Sequence, residues 1–142
     1  NRGVASILSK GVFSTQETLA HIEAALARQS PLNSATRQLI RRAVAIIHSR
    51  SADPLTREDI ASQLNISADY LTDCFRQEFG ITPITYIRRY RIKQACELLL
   101  TTDRSITQVS MDVGFADSAH FTRTFIREIG QSPKAFRRRE KR

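Results

Sequence analysis

One stretch of the chain spaces its side chains so that they could contact the edges of nucleic-acid bases. If Phe121 and Phe125 are buried on one face of a helix, the opposite face carries residues that lie three or four positions apart. We expect this face to read DNA bases through four residues, Ala119, His120, Arg123 and Arg127.

Arg123 is the main candidate among them, because a guanidinium can donate two hydrogen bonds to guanine, at O6 and N7. His120 can donate to a purine N7 or to a phosphate, and the methyl group of Ala119 suits a thymine methyl. Arg123 could instead form an ion pair inside the chain, with Asp117 or Glu128. The two interpretations predict different partners for the guanidinium in the folded chain.

A second stretch, about fifty residues earlier, has the same apolar spacing but a different outward face. Burial of Leu71 and Phe75 would leave four further base-contact candidates outward, Asp69, Thr72, Asp73 and Arg76. The two carboxylates would repel phosphate, although a carboxylate can accept a hydrogen bond from cytosine N4. Either one of them specifies a base, or one neutralises Arg76 and leaves this stretch the weaker reader of sequence.

Contacts to the DNA backbone require positive or hydrogen-bonding groups that carry no sequence information. We expect these contacts from the amides at helix N-termini and from six side chains, Thr85, Arg88, Arg89, Lys134, Arg137 and Arg138. The basic tail over 137–142 would add affinity that falls steeply with salt.

The elements that position these residues are all predicted to be helices, because apolar residues recur every three or four positions and no segment alternates with period two. Helices are expected over 35–49, 68–79 and 83–100, with a short helix before the second of these. The expected end signals of this first set are Thr56 with Asp59, Ser67, Gly80 and Pro83.

After Asp103 the pattern starts again. Ser105 is expected to cap a short helix that ends at Gly114. The remaining expected signals are a cap at Asp117 or Ser118, a stop at Gly130 and a last helix opened by Pro133.

The two sets of helices form an internal repeat. At a shift of 49 residues Ile60 aligns with Val109 and Leu64 aligns with Val113. At a shift of 50 the matching pairs are Leu71 with Phe121, Phe75 with Phe125, Gly80 with Gly130, Pro83 with Pro133 and Tyr86 with Phe136. Core positions, helix stops and prolines are all retained, which indicates a duplicated unit.

Each copy contains a short helix, a turn and a second helix, the helix-turn-helix arrangement whose second helix fits the major groove of B-DNA. An α-hairpin inside an unrelated helical bundle would have the same spacing, but the duplication and the basic charge favour DNA. The predicted fold is all-α, with two homeodomain-like three-helix units joined by a long linking helix and preceded by an extra N-terminal helix.

The predicted boundaries are 1–34 for the N-terminal segment and linker, 35–82 for the first unit, 83–101 for the linking helix and 102–142 for the second unit with its basic tail. A linking helix of 18 residues would be about 27 Å long. The two reading helices would then lie roughly one turn of DNA apart and address successive major-groove segments.

The residues from about Gln38 to Arg138 resemble the AraC/XylS family of bacterial transcription regulators. The most specific stretches are 60–99 and 105–137, and the second matches the family at Ser105, Ile106, Val109, Val113, Gly114, Phe115, Asp117, Phe121, Arg123, Phe125, Gly130, Pro133 and Arg137. The resemblance implies reading helices at 68–79 and 118–129 and a chain that binds double-stranded promoter DNA, as an activator or a repressor. It also implies RNA polymerase as a partner and a place in the bacterial cytoplasm, at the nucleoid.

Residues 1–30 resemble the last strand and last helix of a response-regulator receiver-like domain, through an apolar run at 4–8 and an amphipathic helix over 14–28. On this interpretation the chain is a piece of a larger regulator whose other part senses a signal, with this fragment monomeric and the full protein able to dimerise. The alternative is an ordinary amphipathic helix packed on, or tethered to, the DNA-binding part.

The chain has 142 residues, with 22 Lys+Arg against 14 Asp+Glu and a net charge of +8. Residues 1–35 contribute +1 of this charge and residues 36–142 contribute +7, so the basic excess coincides with the repeat. The chain lacks an apolar run of the roughly 18 residues that a membrane span needs, and it has no signal-peptide core. We therefore expect a cytoplasmic protein without membrane contact.

Catalytic and metal-binding classes have little support in the sequence. Cys74 and Cys96 have no CxxC spacing and no nearby histidine, the three histidines are scattered, and the five glycines form no phosphate-binding loop. We expect no enzyme, no metal and no cofactor. The alternative to a DNA-binding regulator is a basic helical adaptor that binds an acidic protein partner.

Overall fold

The structure is a computed structural model that describes residues 34–141. The predicted N-terminal helix and the receiver-like resemblance of residues 1–30 lie outside the described residues. The described part is helical, as predicted, and its helices are α1 (Ser34–Arg50), α2 (Arg57–Leu64), α3 (Ala68–Phe79), α4 (Pro83–Thr101), α5 (Ile106–Asp112), α6 (Ser118–Ile129) and α7 (Pro133–Glu140).

These helices divide into two compact units, a first unit over residues 34–87 and a second unit over residues 88–141. The boundary falls inside α4, so this helix contributes its first turn to one unit and its remainder to the other. The predicted linking helix thus has residues in both units.

In the first unit α1 packs against α2 and α3, and α2 packs against α3. The centre of this unit is formed by fully buried apolar side chains, among them Ile40, Ile47, Ile60, Leu71 and Phe75. Tyr86 closes the core by an edge-on contact to Phe75, with 5.8 Å between ring centroids, and its hydroxyl lies 3.1 Å from His48 Nε2.

In the second unit α5 packs against α6, and α6 packs against α7. Phe121 and Phe125 are fully buried, and Phe136 meets Phe125 edge-on with 5.6 Å between centroids. This contact is the counterpart of the one between Tyr86 and Phe75 in the first unit. The pairs that the repeat predicts thus occupy equivalent places in the two cores.

The repeat also extends to helices that the sequence comparison did not align. Ile40, Ala43 and Ile47 on α1 are buried with the same spacing as Ile92, Ala95 and Leu99 on α4, at a shift of 52 residues. Each unit therefore has a third helix, α1 in the first and α4 in the second. The connection from α1 to α2 and the connection from α4 to α5 differ in length by a few residues. That change in shift explains why the earlier part of the repeat was missed.

The predicted helix starts are confirmed in atomic detail. Thr56 Oγ1 accepts from the Asp59 amide at 3.1 Å while the Asp59 carboxylate accepts from the Thr56 amide at 3.0 Å. Ser105 and Gln108 form the same reciprocal pair, with both distances 3.0 Å. Each short helix thus begins with a capping box that satisfies two amides without an intrahelical acceptor.

The helix ends decide which residue caps α6 and place the end of α5 slightly earlier than predicted. Asp117 caps α6, since its carboxylate accepts from the His120 amide at 2.7 Å. Helix α5 ends at Asp112, two residues earlier than the Gly114 stop that the sequence predicts. Gly80 and Gly130 end α3 and α6 with φ of 71° and 93°, a left-handed conformation that favours glycine.

Candidate nucleic-acid interface

The outward face of α6 is exposed as predicted. Ala119, Arg123 and Arg127 are exposed, while His120 is half-buried because its ring packs edge-on against Phe115 at 5.4 Å between centroids. Helix α6 therefore presents a face with donor groups and a small apolar side chain.

The intramolecular ion pair considered for Arg123 is absent from the described residues. Asp117 is occupied as the cap of α6, and the Glu128 carboxylate lies 3.0 Å from Arg89 Nε and 3.7 Å from Arg127 Nε. In residues 34–141 no ion pair or hydrogen bond involves the Arg123 side chain. Its guanidinium has all of its donors available for a partner outside the chain.

Sequence reasoning missed Ile126 on this face, because an isoleucine is usually expected in the core. Its side chain is 45 % exposed and lies one turn after Arg123. The repeat contains the signal that could have found it, since Ile126 aligns with Arg76, an exposed residue of α3. An exposed isoleucine at this place offers an apolar contact for a thymine methyl.

The outward face of α3 differs from the prediction at one position. Asp69, Asp73 and Arg76 are exposed, but Thr72 is only 9 % exposed, so the expectation that Thr72 points outward is wrong. Its hydroxyl donates to the Ala68 carbonyl at 3.0 Å. Two exposed residues of this helix were not predicted as base contacts, Tyr70 and Gln77.

Thr72 is buried because Arg57, the first residue of α2, reaches across the turn to it. Arg57 Nη1 donates to Thr72 Oγ1 at 2.8 Å and to the Ala68 carbonyl at 3.3 Å. The same nitrogen lies 3.2 Å from Asp69 Oδ1. Arg57 therefore fixes the start of α3. It also pairs with Asp69, one of the two carboxylates that the sequence analysis considered as a partner of Arg76.

The predicted backbone-contact residues fall into two groups. Lys134 and Arg138 are exposed and Arg88 is partly exposed, and none of these three side chains forms an ion pair or hydrogen bond with another described residue. Thr85 is partly exposed and accepts a hydrogen bond from Thr82 Oγ1 at 3.1 Å. These four residues remain predicted phosphate contacts.

Arg89 and Arg137, by contrast, have partners inside the second unit. Arg89 Nε lies 3.0 Å from the buried Glu128 carboxylate. Arg137 donates through Nε to the Leu99 carbonyl at 3.0 Å and through Nη2 to the Thr102 carbonyl at 3.1 Å. Arg89 is thus held in an ion pair and Arg137 in hydrogen bonds to carbonyls at the end of α4, and a phosphate contact, which stays a prediction for both, would compete with these partners.

The two units differ in charge. The first unit contains six Lys+Arg and six Asp+Glu and has no net charge, whereas the second contains twelve and six and has a net charge of +6. The basic excess inferred from the sequence thus belongs to one unit of the described part. Electrostatic attraction to a polyanion is concentrated there.

Three further observations concern metal binding, the two thiols and membrane spanning. In the described part no group of three or more His, Cys, Asp or Glu residues is placed to hold a metal ion. Burial raises the pKa of Cys96 to about 12 and also raises the pKa of Cys74, so both thiols stay protonated at neutral pH. None of the helices in residues 34–141 combines the length and apolar character needed to cross a bilayer.

Comparison with known proteins agrees with this geometry. A family model described as a helix-turn-helix domain matches residues 60–139. The Msm operon regulatory protein of Streptococcus mutans is 36 % identical over 121 residues, which cover 81 % of this chain and 44 % of that protein. The chain thus spans less than half the length of the curated relatives it matches.

Two solved structures show the same fold. The C-terminal domain of AraT, a response regulator from Geobacillus stearothermophilus, is 33 % identical with a TM-score of 0.71, covering 73 % of this chain and 87 % of that one. The DNA-binding domain of the transcriptional factor AdpA, solved with a target DNA, is 26 % identical with a TM-score of 0.66, covering 71 % and 90 %. The chain belongs to the AraC/XylS family of helix-turn-helix transcription regulators.

Proposed function

We propose that this chain is the sequence-specific DNA-binding part of a bacterial transcription regulator and that it reads two major-groove segments with α3 and α6. The observation that carries the proposal is the free Arg123 guanidinium on the exposed face of α6, whose opposite face is locked into the core by Phe121 and Phe125. A rigid helix with an available bidentate donor is suited to guanine recognition.

The side chains around Arg123 supply the rest of a base-reading face. Ala119 precedes it by one turn and Ile126 follows it by one turn, and both can meet thymine methyl groups. Arg127 is exposed and only loosely paired with Glu128, at 3.7 Å, so it can turn toward a base or a phosphate. The AdpA domain, which has this fold and was solved with a target DNA, supports the proposal.

Backbone contacts would come from Lys134 and Arg138 on α7 and from Arg88 and Thr85 on α4, together with the amides at the start of these helices. The net charge of +6 on the second unit would add an attraction that does not depend on sequence. The second unit would therefore supply most of the electrostatic affinity.

For the whole regulator we propose action at promoters in the bacterial cytoplasm, with RNA polymerase as a partner and with dimerisation outside this chain. The match to the C-terminal domain of a response regulator supports a receiver-like origin for residues 1–30. No catalytic role is proposed. The adaptor alternative is not favoured, because it does not account for family membership or for the exposed face of α6.

The proposal is tested by selecting binding sites for the purified chain from a random-sequence duplex library at moderate salt. We expect a two-part motif with its parts about one helical turn apart. Failure to enrich any motif would sink the proposal and favour the adaptor.

Arg123→Ala then separates base contact from phosphate contact. We expect a loss of about 1–3 kcal/mol on the selected site and a much smaller loss on random DNA. An equal loss on both would mean that Arg123 contacts only the backbone. Glu140→Ala, on an exposed part of α7, serves as a variant outside the reading face.

A further inference from the structure

Asp73 is the outward carboxylate of α3 that remains without a partner among the described residues. It is exposed, and in residues 34–141 its side chain forms neither an ion pair nor a hydrogen bond. The neighbouring Asp69 differs, because Arg57 Nη1 lies 3.2 Å from its carboxylate. The two acids of this helix are thus not equivalent.

The position of Asp73 in its unit matches that of Arg123 in the other unit. Asp73 lies six residues after Ser67, which caps α3, and Arg123 lies six residues after Asp117, which caps α6. Each lies midway between two buried apolar residues, Leu71 and Phe75 in α3 and Phe121 and Phe125 in α6. The same place on two equivalent helices therefore carries an acceptor in one unit and a donor in the other.

We infer that Asp73 is a specificity-determining residue, whose carboxylate accepts a hydrogen bond from the exocyclic amino group of a base in the major groove. Cytosine N4 and adenine N6 both offer this group. The inference rests on the proposed function and names the chemical group that α3 selects.

The carboxylate acts mainly by exclusion. An ionised carboxylate can only accept, so it is repelled by phosphate and finds no donor on the exposed edges of guanine O6 and N7 or thymine O4. A mismatch then leaves a desolvated charge without a partner, which costs more than the correct hydrogen bond contributes. Asp73 therefore contributes more to discrimination than to affinity.

The charge of the first unit fits this role. With six basic and six acidic residues, this unit gains little from the attraction to phosphate that draws the second unit to any duplex. A unit without this attraction contributes to binding mainly where its base contacts are satisfied. The second unit would hold the chain on DNA, and the first would decide which sequences are retained.

Arg57 pairs with one of the two carboxylates of α3, so only the other, that of Asp73, is available to a base. By pairing with Asp69 and bonding Thr72 and the Ala68 carbonyl, it keeps the first turn of α3 in one arrangement. Asp69 is thereby held near Arg57 while Asp73 remains available one turn further along the helix.

The test compares the sites selected from a random-sequence duplex library by the 142-residue chain and by its Asp73→Ala variant. We expect the wild type to prefer cytosine or adenine at one position of one motif half, and the variant to lose about tenfold in discrimination there while retaining the other half. Binding to random DNA should rise slightly, because a negative charge is removed.

Glu140→Ala is the matched control, since it removes an exposed acid outside α3. It should strengthen binding to all sequences without changing the motif. Asp73→Asn separates the two base sources: an amide both donates and accepts, so a preference for adenine should be kept or strengthened and a preference for cytosine should weaken.

Identical motifs for wild type and Asp73→Ala would overturn the inference while leaving the proposed function intact. An absence of any wild-type motif would instead remove the function itself. Circular dichroism of each variant confirms folding, which we expect to persist because alanine favours a helix and Asp73 has no partner within the described part.

Discussion

The two units share the same helix caps and core contacts and differ mainly in their exposed side chains and net charge. Both use a capping box, a glycine stop, and a buried phenylalanine under an aromatic ring from the following helix. One has no net charge and the other has +6. The comparison shows that the duplication has retained the residues that build the fold. The exposed residues of α3 and α6 have diverged in charge and in hydrogen-bonding groups.

The units also treat an equivalent buried acid differently. Glu128 in the second unit forms an ion pair with Arg89 at 3.0 Å, although Arg89 Nε makes no hydrogen bond in the described part, whereas both Glu78 oxygens in the first unit are buried without a hydrogen-bond partner there. Arg37 is related to Arg89 by the same shift of 52 and exerts an attraction on Glu78, but without a hydrogen bond. The first unit thus retains a buried acid that it satisfies poorly.

The largest expected effect tests whether the two cores are equally strong. Phe75→Ala and Phe125→Ala should each cost about 3–5 kcal/mol in the free energy of unfolding, because both rings are fully buried. Denaturant unfolding followed by circular dichroism measures this loss. A loss below about 1 kcal/mol for either variant would show that the core has been placed on the wrong face.

A smaller effect should separate the two buried acids. Glu128→Gln removes the partner of Arg89 and should cost about 2 kcal/mol in the free energy of unfolding at pH 7. Glu78→Gln should be neutral or stabilising, by less than about 1 kcal/mol, because it removes a charge that burial disfavours.

The pH dependence of the Glu78 effect follows from the direction of its pKa. Burial raises the pKa of Glu78, so the folded state holds this proton more tightly and stability falls as pH rises through the interval above the usual glutamate value. Glu78→Gln should therefore match the wild type at pH 4 and exceed it at pH 7. Equal pH profiles for the two proteins would contradict this account.

The capping boxes should differ in their response to acid. Thr56→Ala and Ser105→Ala should each cost about 1 kcal/mol at neutral pH. Hydrogen bonds from Thr56 hold the pKa of Asp59 below its usual value, with a minor contribution from Arg50, so the Asp59 contribution is present at neutral pH and is lost as pH falls through that lowered pKa. Gln108, its counterpart, does not titrate.

Asp59→Asn is the variant that isolates this difference. It should reduce the loss of stability in acid, a loss to which Asp103 also contributes because Lys141 lowers its pKa. Thermal melts between pH 2 and pH 7 measure the effect. If the melting temperature of Asp59→Asn falls in acid as much as that of the wild type, the whole loss belongs to other carboxylates.

The smallest effect concerns salt. Lys134→Ala in the second unit should reduce the slope of log affinity against log salt by about 0.9, the release of one counterion. Ile84→Ala, at the equivalent place in the first unit, should leave the slope unchanged. Fluorescence anisotropy on random duplex at several salt concentrations measures both slopes. Equal changes would contradict the assignment of phosphate affinity to the second unit.

The sequence predicts well what depends on neighbours along the chain. Thr56, Ser67 and Ser105 each accept from the amide three residues later, so their roles as caps could be inferred from spacing. Phe75 and Phe125 follow from a helical period that the repeat confirms. The fold class, the bounds of α3 and α6 and the family were available from such local and repeated signals.

The sequence does not predict partners that the fold brings together from a distance. Thr72 is buried by Arg57, fifteen residues earlier, and Arg137 reaches a carbonyl thirty-eight residues before it. Periodicity places such side chains on a face but does not say which other element reaches them.

The contacts of Arg137 and Lys141 with the end of α4 bear on the order in which the protein is made. Both side chains donate to the Thr102 carbonyl, and both are synthesised more than thirty residues after it. The carbonyls at the end of α4 therefore cannot receive these hydrogen bonds while Arg137 and Lys141 are still inside the ribosome. Every contact described for the first unit joins residues that precede Arg88, so these contacts can form before the second unit has been synthesised.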